Sequence, residues 1–529
     1  MFDYVIVGAG AAGCVLAGRL SANPAVTVCL VEAGGPDRSA LIQCPAGFAL
    51  MAQVRQANWA FETVPQSGLG GRRGYQPRGK VLGGSTSVNA MIYIRGQRDD
   101  YERWAAAGNT GWGWDDVLPY FLKAEDNSRG ADAWHGRGGP LAVTDLPCPN
   151  RFGPIFVEAA RQAGIAGNPD FNGEHQEGAG MYQVMQRGGE RCSAAKAYLT
   201  PHLGRPNLTV LTGARTTRLL LEGRRATGVE LVEGGTRREL HARREVLVCA
   251  GALQSPQLLL LSGIGPGAEL QAQGIGVVHD LPAVGRHLHD HPDLTLVVEA
   301  PRARDLFGIS PLGAWHALQG VLDWRRRRSG ILTTNFAEAG AFVRSRPEEP
   351  RPDLQLHFVI GKLVDHGRTT LFGHGYSCHV CVLQPASRGR VTLAGPDPLA
   401  APAIDPGFLA EREDLERLKR GFALVRKILA QPALATIGGR ERAASAAATD
   451  DASIEAYIRG HADTIYHPVG SCRMGPGADA VVDARLRVHG MEALRVVDAS
   501  VMPNIVSGNT TAPTVMIAER AADFIERRT

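Results

Sequence analysis

The first thirty-two residues constrain this chain more than any other stretch. Tyr4-Val5-Ile6-Val7 is a short apolar run, Gly8-Ala9-Gly10-Ala11-Ala12-Gly13 follows, and Val15, Leu16 and Leu20 then recur at helical spacing. Val26 to Val31 forms a second apolar run that ends at Glu32, nineteen residues after Gly13. Strand, glycine turn, helix and strand make one βαβ unit with an acid at the second strand end. Gly8 permits the tight turn, Gly10 lets the backbone approach a pyrophosphate, and Gly13 lets helix and strand pack closely. The free N–H groups of the helix end would face the anion. Glu32 stands where ribose hydroxyls would donate to it. The motif predicts a dinucleotide and does not by itself separate FAD from NAD.

At 529 residues and 56.4 kDa the chain exceeds what one core organises, so two interleaved lobes are expected. Val246-Leu247-Val248 runs into Cys249-Ala250-Gly251, and Pro256 then opens a helix that continues through Leu258 to Leu261. Near the end, Leu494 to Asp498 reads as a short strand, and Pro513 opens a last helix carrying Val515, Met516, Ile517 and Ile525. Segments 1–155, 200–297 and 462–529 are therefore assigned to one discontinuous, Rossmann-like cofactor lobe. Segments 156–199 and 298–461 differ in texture. Leu354, Leu356 and Phe358, then Cys378, Val380 and Val382, alternate as half-buried antiparallel strands do. Asp414 to Leu429 carries one apolar stripe and is expected to be a surface helix. The predicted class is α/β, α+β overall: a Rossmann-like lobe beside a substrate lobe built on an antiparallel sheet flanked by helices.

Fifty-seven Lys+Arg against 53 Asp+Glu leaves +4, too little for a nucleic-acid binder unless gathered on one face. The most apolar stretch, Val246 to Ile264, is broken by Gln254, Ser255, Pro256 and Gln257, so no helix should span a bilayer. Met1-Phe2-Asp3 leads straight into the strand pattern, which predicts no secretory leader and a cytoplasmic chain. Nine cysteines at irregular spacing are expected to be reduced thiols. Cys378 and Cys381 form a CxxC, but odd spacing in a strand sends them to opposite faces. Trp315, Leu318, Val321, Leu322 and Trp324 lie in a predicted helix ahead of Arg325-Arg326-Arg327-Arg328. That stripe is either a docking face for the inner surface of the cytoplasmic membrane or a solvated charge run beside a core helix.

Three further stretches carry chemistry. Arg78-Gly79-Lys80-Val81-Leu82-Gly83-Gly84-Ser85-Thr86-Ser87-Val88-Asn89-Ala90-Met91 is rich in small residues and hydroxyls, which favours close backbone approach to a bulky ligand. Gly251 to Gly265 repeats the strand-to-helix theme. Tyr466-His467-Pro468-Val469-Gly470 is followed by Asp498-Ala499-Ser500 and by Gly508-Asn509-Thr510-Thr511-Ala512-Pro513. His467 is a candidate base, because imidazole titrates near working pH. The helix N-terminus after Asn509 could stabilise negative charge on a reduced ring.

These motifs, in this order, resemble the glucose–methanol–choline (GMC) family of FAD-dependent oxidoreductases over nearly the whole chain. Asn58-Trp59-Ala60-Phe61, Ile94-Arg95-Gly96, Asp170-Phe171-Asn172-Gly173 and Asp290-His291 resemble its choline dehydrogenases and, more closely, its membrane-associated aliphatic alcohol dehydrogenases. The resemblance implies that His467 accepts the alcohol proton as hydride leaves for flavin N5, and that Asn509 bonds the substrate oxygen. It implies that Gly8, Gly10, Ala11, Ala12, Gly13, Glu32 and Ala33 surround the ADP end of FAD. Arg78, Leu82, Gly83, Ser87, Asn89, Ala90, Met91, Thr216, Ala250, Asp498, Ala499, Thr510 and Ala512 would surround the rest. Val88 stands where covalently flavinylated members carry histidine, so non-covalent FAD is expected. His287, His289 and His291 look like metal ligands, yet the resemblance implies packing near the cofactor and no metal. The implied partners are a primary, aliphatic alcohol and a quinone or other electron acceptor. An oxidase, a choline enzyme and a hydroxynitrile-lyase-like enzyme with structural FAD remain alternatives. A choline enzyme needs a carboxylate or aromatic cage for its ammonium, for which Glu338 and Trp315 are candidates.

Overall fold

The computed structural model describes residues 1–51 and 55–527. The chain begins with β1 (Phe2–Val7), α1 (Ala11–Leu20) and β2 (Val28–Glu32), and later reaches α2 (Phe152–Gln162) and β3 (Gly178–Met181). It returns through β4 (Leu208–Thr212), β5 (Ala214–Glu222), β6 (Arg225–Glu233), β7 (Thr236–Val248) and α3 (Gly251–Leu261). The second lobe holds β8 (Pro292–Glu299), α4 (Pro311–Arg327), β9 (Ala337–Val343), β10 (Leu354–Val359), β11 (Gly373–Val382) and α5 (Arg412–Leu429). The chain closes with β12 (Leu494–Val496) and α6 (Thr511–Glu526).

The first sheet has a parallel core in the order β4-β2-β1-β7-β12, and β5 and β6 extend β7 as an antiparallel meander. Val5, Ile6 and Val7 are buried on both faces, as a parallel strand covered by helices must be. α1 packs against α6, so the chain's two ends share one layer. Its Arg19 reaches the buried Glu519 at 2.6 Å.

The helix after β7 opens at Gly251, and Pro256 lies inside it. A proline there cannot donate to the Ala252 carbonyl, and the hydroxyl of Ser471 donates to that oxygen instead at 2.5 Å. Pro513 lies in the first turn of α6, where a missing N–H costs nothing.

The second sheet runs β8-β11-β10-β9-β3, antiparallel throughout. One face presents Leu294, Leu296, Leu354, Leu356, Phe358, Cys378 and Val380 to Leu415, Leu418, Phe422 and Val425 of α5. The alternation expected from sequence is present, but the strands are buried on both faces. The polar alternates Asp293, Gln355, His357, Ser377 and His379 are buried too, because they face the cleft between the lobes. Cys378 and Cys381 do take opposite faces, and burial pushes both thiols up. Two crossovers fall elsewhere than the sequence boundaries. Pro292–Glu299 pairs within the second sheet, while Cys192 and Ala194 to Leu199 pack in the first core. Period-two alternation marks a strand without saying which sheet it joins.

Candidate active site

A cavity of about 1300 Å³ runs from the glycine turn after β1 to the loop that carries His467. That exceeds an ordinary small-ligand pocket and suits a dinucleotide with room beyond it. At one end no side chain caps α1, so its first N–H groups are open, and Gly10, Ala11 and Ala12 line the wall. The second glycine loop closes over the first: a Cβ on Gly84 would lie 2.7 Å from Gly10 Cα. Glu32 accepts from the N–H groups of Ala9 at 2.9 Å and Gly34 at 2.8 Å, and burial raises its carboxyl to about 7. Open N–H groups, glycine-lined walls and a buried acid fit the ADP half of a dinucleotide.

Gly8, Ala33, Arg78, Asn89, Ala90, Met91, Thr216, Ala250, Asp498, Ala499 and Thr510 also line the cavity. Gly13, Leu82, Gly83, Ser87 and Ala512 do not. They lie behind its wall, where Gly83 N–H donates to Ala9 at 2.7 Å and Ser87 Oγ donates to Leu82 at 2.6 Å. Asp498 has a structural bond set: its carboxylate accepts from Gly251 N–H at 2.8 Å and Ser255 Oγ at 2.5 Å, tying down the start of α3.

At the other end His467 and Asn509 meet, Nε2 to Nδ2, at 3.1 Å. Several features aim the imidazole. Tyr466 adopts φ +77°, a strained conformation for a bulky residue, and Arg78 donates to its carbonyl at 2.8 Å. Asp290 accepts from the His467 backbone N–H at 2.8 Å and from the Thr464 hydroxyl. Pro468 disfavours helical backbone at His467. Burial, His291, His357 and Arg78 push the His467 imidazole well below its ordinary value, so it is neutral at neutral pH and can accept a proton.

Of the clustered histidines, His291 touches His467, Nδ1 to Nδ1, at 3.0 Å. His289 faces the His287 carbonyl through Nδ1 at 2.7 Å, and its Nε2 accepts from Ile505 N–H at 2.8 Å. Both its nitrogens thus serve the backbone around the site. The sequence reading missed Gln355, which donates to Asn509 from the second lobe, and Tyr182, whose hydroxyl accepts from Gln355 behind it. It also missed Arg191, a buried guanidinium that donates to the carbonyls of Ile42, Thr86 and Asn89 and braces the second glycine loop. None of the three lies in a local motif; only spatial proximity reveals them.

Between these ends the wall is apolar, with Phe48, Met51, Phe307, Leu332, Phe336 and Leu363. The carboxylates there are mostly engaged. Glu338 accepts from Asn150 N–H at 2.6 Å and from the Thr334 hydroxyl at 2.5 Å, and Asp305 pairs with Arg151 at 2.7 Å. Trp315 is 56% exposed and points away from the cavity, so it forms no cage.

A Rossmann-type cradle that opens through one cavity onto a neutral imidazole and an amide defines a flavin-type oxidoreductase. Family models described as GMC oxidoreductase match residues 2–293 and 385–518. The chain belongs to the GMC oxidoreductase family and is an FAD-dependent enzyme acting on alcohols. It is 48% identical to an alcohol dehydrogenase [acceptor] of Pseudomonas putida, over 100% of this chain and 96% of that one. It is 43% identical to an oxygen-dependent choline dehydrogenase of Burkholderia ambifaria, over 100% and 94%. Among solved structures, pyridoxine 4-oxidase from Mesorbium loti superposes with a TM-score of 0.88 at 34% identity, covering 100% of this chain and 99% of that one. An FAD-dependent oxidoreductase from Chaetomium thermophilum gives 0.90 at 27% identity, covering 100% and 99%.

Proposed function

We propose that the enzyme oxidises an apolar primary alcohol to its aldehyde and passes the electrons to a quinone. FAD, when bound, supplies the hydride acceptor. The observation that carries the reading is the neutral His467–Asn509 pair at the wall of an apolar cavity. His467 Nε2 takes the hydroxyl proton, Asn509 Nδ2 holds the substrate oxygen, and the apolar wall excludes water from the reacting carbon. The engaged state of Glu338 and Asp305 favours an aliphatic chain over a quaternary ammonium. Segments 1–155, 200–297 and 462–529 would then serve FAD, and 156–199 with 298–461 the alcohol, apart from the two crossovers described above. Steady-state turnover of 1-octanol and choline, each with a ubiquinone analogue or oxygen as acceptor, tests the reading. It predicts 1-octanol with quinone as the best pair; choline with oxygen as the best pair would replace it by a choline oxidase.

Val88 at the cavity wall offers no nucleophile, so FAD is held without a covalent bond and can be removed and titrated back. Glu32 then gives its affinity a pH dependence. Ribose hydroxyls donate more strongly to the ionised carboxylate than to the acid, so binding lowers a carboxyl that otherwise sits at about 7. FAD affinity should therefore rise with pH up to about 7 and level off above it, by up to about tenfold for each unit the carboxyl drops. Glu32→Gln should flatten that slope, and an unchanged slope in the variant would assign the dependence elsewhere.

The acceptor reading rests on α4. Ser310 caps it and Pro311 opens it, its Gly313, His316, Ala317 and Gly320 line the cavity, and its outer side exposes Trp315, Leu318, Val321 and Leu322. Ile309 and Phe372, paired next to its start, are 51% and 77% exposed. Two residues depart from the expected stripe. Trp324 is buried, with its indole N–H donating to Gly189 at 2.9 Å, and Arg328 pairs with Glu190 at 2.7 Å. Arg325, Arg326 and Arg327 stay exposed beside the apolar patch, as a helix lying on an anionic bilayer requires. No helix among the described residues is long and apolar enough to cross a membrane. Phosphatidylglycerol vesicles should retain the holoenzyme, and neutralising the three arginines should weaken retention by about 1 kcal/mol each. Equal retention of a Leu318→Glu/Leu322→Glu variant would remove the docking face.

A further inference from the structure

We propose that Tyr182 and Gln355, on the substrate-lobe sheet, are positioning residues that fix which nitrogen of His467 carries its proton; this rests on His467 being the base. The Tyr182 hydroxyl lies 2.7 Å from the Leu356 carbonyl, so its hydrogen points there and its own oxygen is left to accept. The Gln355 atom 3.2 Å from that oxygen must therefore be the amide nitrogen. The same nitrogen donates to Asn509 Oδ1 at 3.2 Å, which turns Asn509 Nδ2 toward His467 Nε2 at 3.1 Å. His467 Nε2 then accepts and carries no hydrogen. The ring proton sits on Nδ1, facing His291 Nδ1 at 3.0 Å.

At the opposite end of the chain of bonds, burial holds the His291 imidazole neutral. A neutral His291 that accepts at Nδ1 carries its proton on Nε2, a buried nitrogen with no hydrogen-bond partner among the described residues. Gly340 makes the arrangement possible, because a Cβ there would lie 2.2 Å from the Tyr182 hydroxyl and 2.1 Å from the Leu356 oxygen. Gln355 and Tyr182 are buried, so water does not compete for these bonds. Uncharged amides thus hold the base in its working tautomer without adding a charge near the substrate oxygen. The charged and titratable groups around His467 are Asp290 at its backbone N–H, Arg78 through the Tyr466 carbonyl, and the His291 and His357 rings.

The test uses FAD-loaded enzyme with ¹⁵N-labelled histidine, the His467 signals being identified by their loss in His467→Gln. In the wild type, His467 Nε2 should show the shift of an unprotonated ring nitrogen and Nδ1 that of a protonated one. Above the range to which burial raises its carboxyl, Gln355→Glu accepts only, so Asn509 turns round and offers its oxygen to His467. Nε2 should then take up the proton, and flavin reduction by 1-octanol should slow by about a hundredfold with FAD retained. Tyr182→Phe keeps the ring packing and frees the amide to turn; reduction should slow by about three- to tenfold with KM unchanged. Wild-type nitrogen shifts in both variants would overturn the proposal, and Tyr182→Phe decides alone if Gln355→Glu does not fold. Should 1-octanol reduce no form of the enzyme, the substrate reading fails and the nitrogen shifts still decide this one.

Discussion

His467→Ala should bind FAD as the wild type does and reduce it with 1-octanol about 10²- to 10⁴-fold more slowly, the usual worth of a positioned base. That range corresponds to about 3–5 kcal/mol of barrier. FAD should stay because the side chain makes no contact with the glycine turns that cradle the ADP end, and its backbone N–H bond to Asp290 survives the change. The pH profile separates this role from a structural one. Burial, reinforced by the neighbouring His291, His357 and Arg78, holds the wild-type imidazole neutral well below its ordinary range, so the reduction rate should show no acid limb near pH 6.5. The variant should be slow at every pH. Reduction at the wild-type rate in His467→Ala would remove it from the chemistry, whatever its position.

The second large effect comes from two glycines of one motif with opposite consequences. A Cβ on Gly13 would lie 1.9 Å from the Gly8 carbonyl oxygen, a backbone atom that cannot yield without moving β1 against α1. Gly13→Ala should therefore cost about 3 kcal/mol or more of stability and yield protein without FAD. At Gly10 the nearest atom to an added Cβ is 3.9 Å away, and its φ of −76° suits alanine. Gly10→Ala should keep the melting temperature of the FAD-free protein and lose affinity for FAD, because the methyl group occupies space the pyrophosphate needs. Thermal unfolding and FAD titration of both variants check this. A stable, FAD-replete Gly13→Ala protein would refute the packing argument.

These contrasts show what a sequence can and cannot carry. The glycine turn, Glu32 and the parallel core were legible because each rests on local geometry: a turn, a period, a strand end. His467 and Asn509 were legible through family likeness, and the structure brings them within 3.1 Å across 42 positions of chain. The amide chain behind them was not legible, since Gln355 sits in an ordinary alternating strand and Tyr182 lies just past the end of β3. Their partners lie 154 and 173 residues away. Trp324 failed for a related reason. Its helix spacing was read correctly, but Trp324 turns inward to pack with Cys44 and Ala46 and to donate to the Gly189 carbonyl, distant residues that no local pattern reveals. Pro256 was read as a start because proline favours first turns, and Ser471, more than two hundred residues on, makes its interior position tolerable.

The central claim is that an apolar alcohol loses its proton to His467 while its hydride passes to bound FAD. Mixing the oxidised holoenzyme with 1-octanol in the absence of oxygen, and following the oxidised-flavin absorption band, tests it most directly. The band should bleach in the wild type, stay in His467→Ala on the same timescale, and return when a ubiquinone analogue is added. A band that no primary alcohol bleaches in the wild-type enzyme would contradict the claim and leave the flavin a structural role.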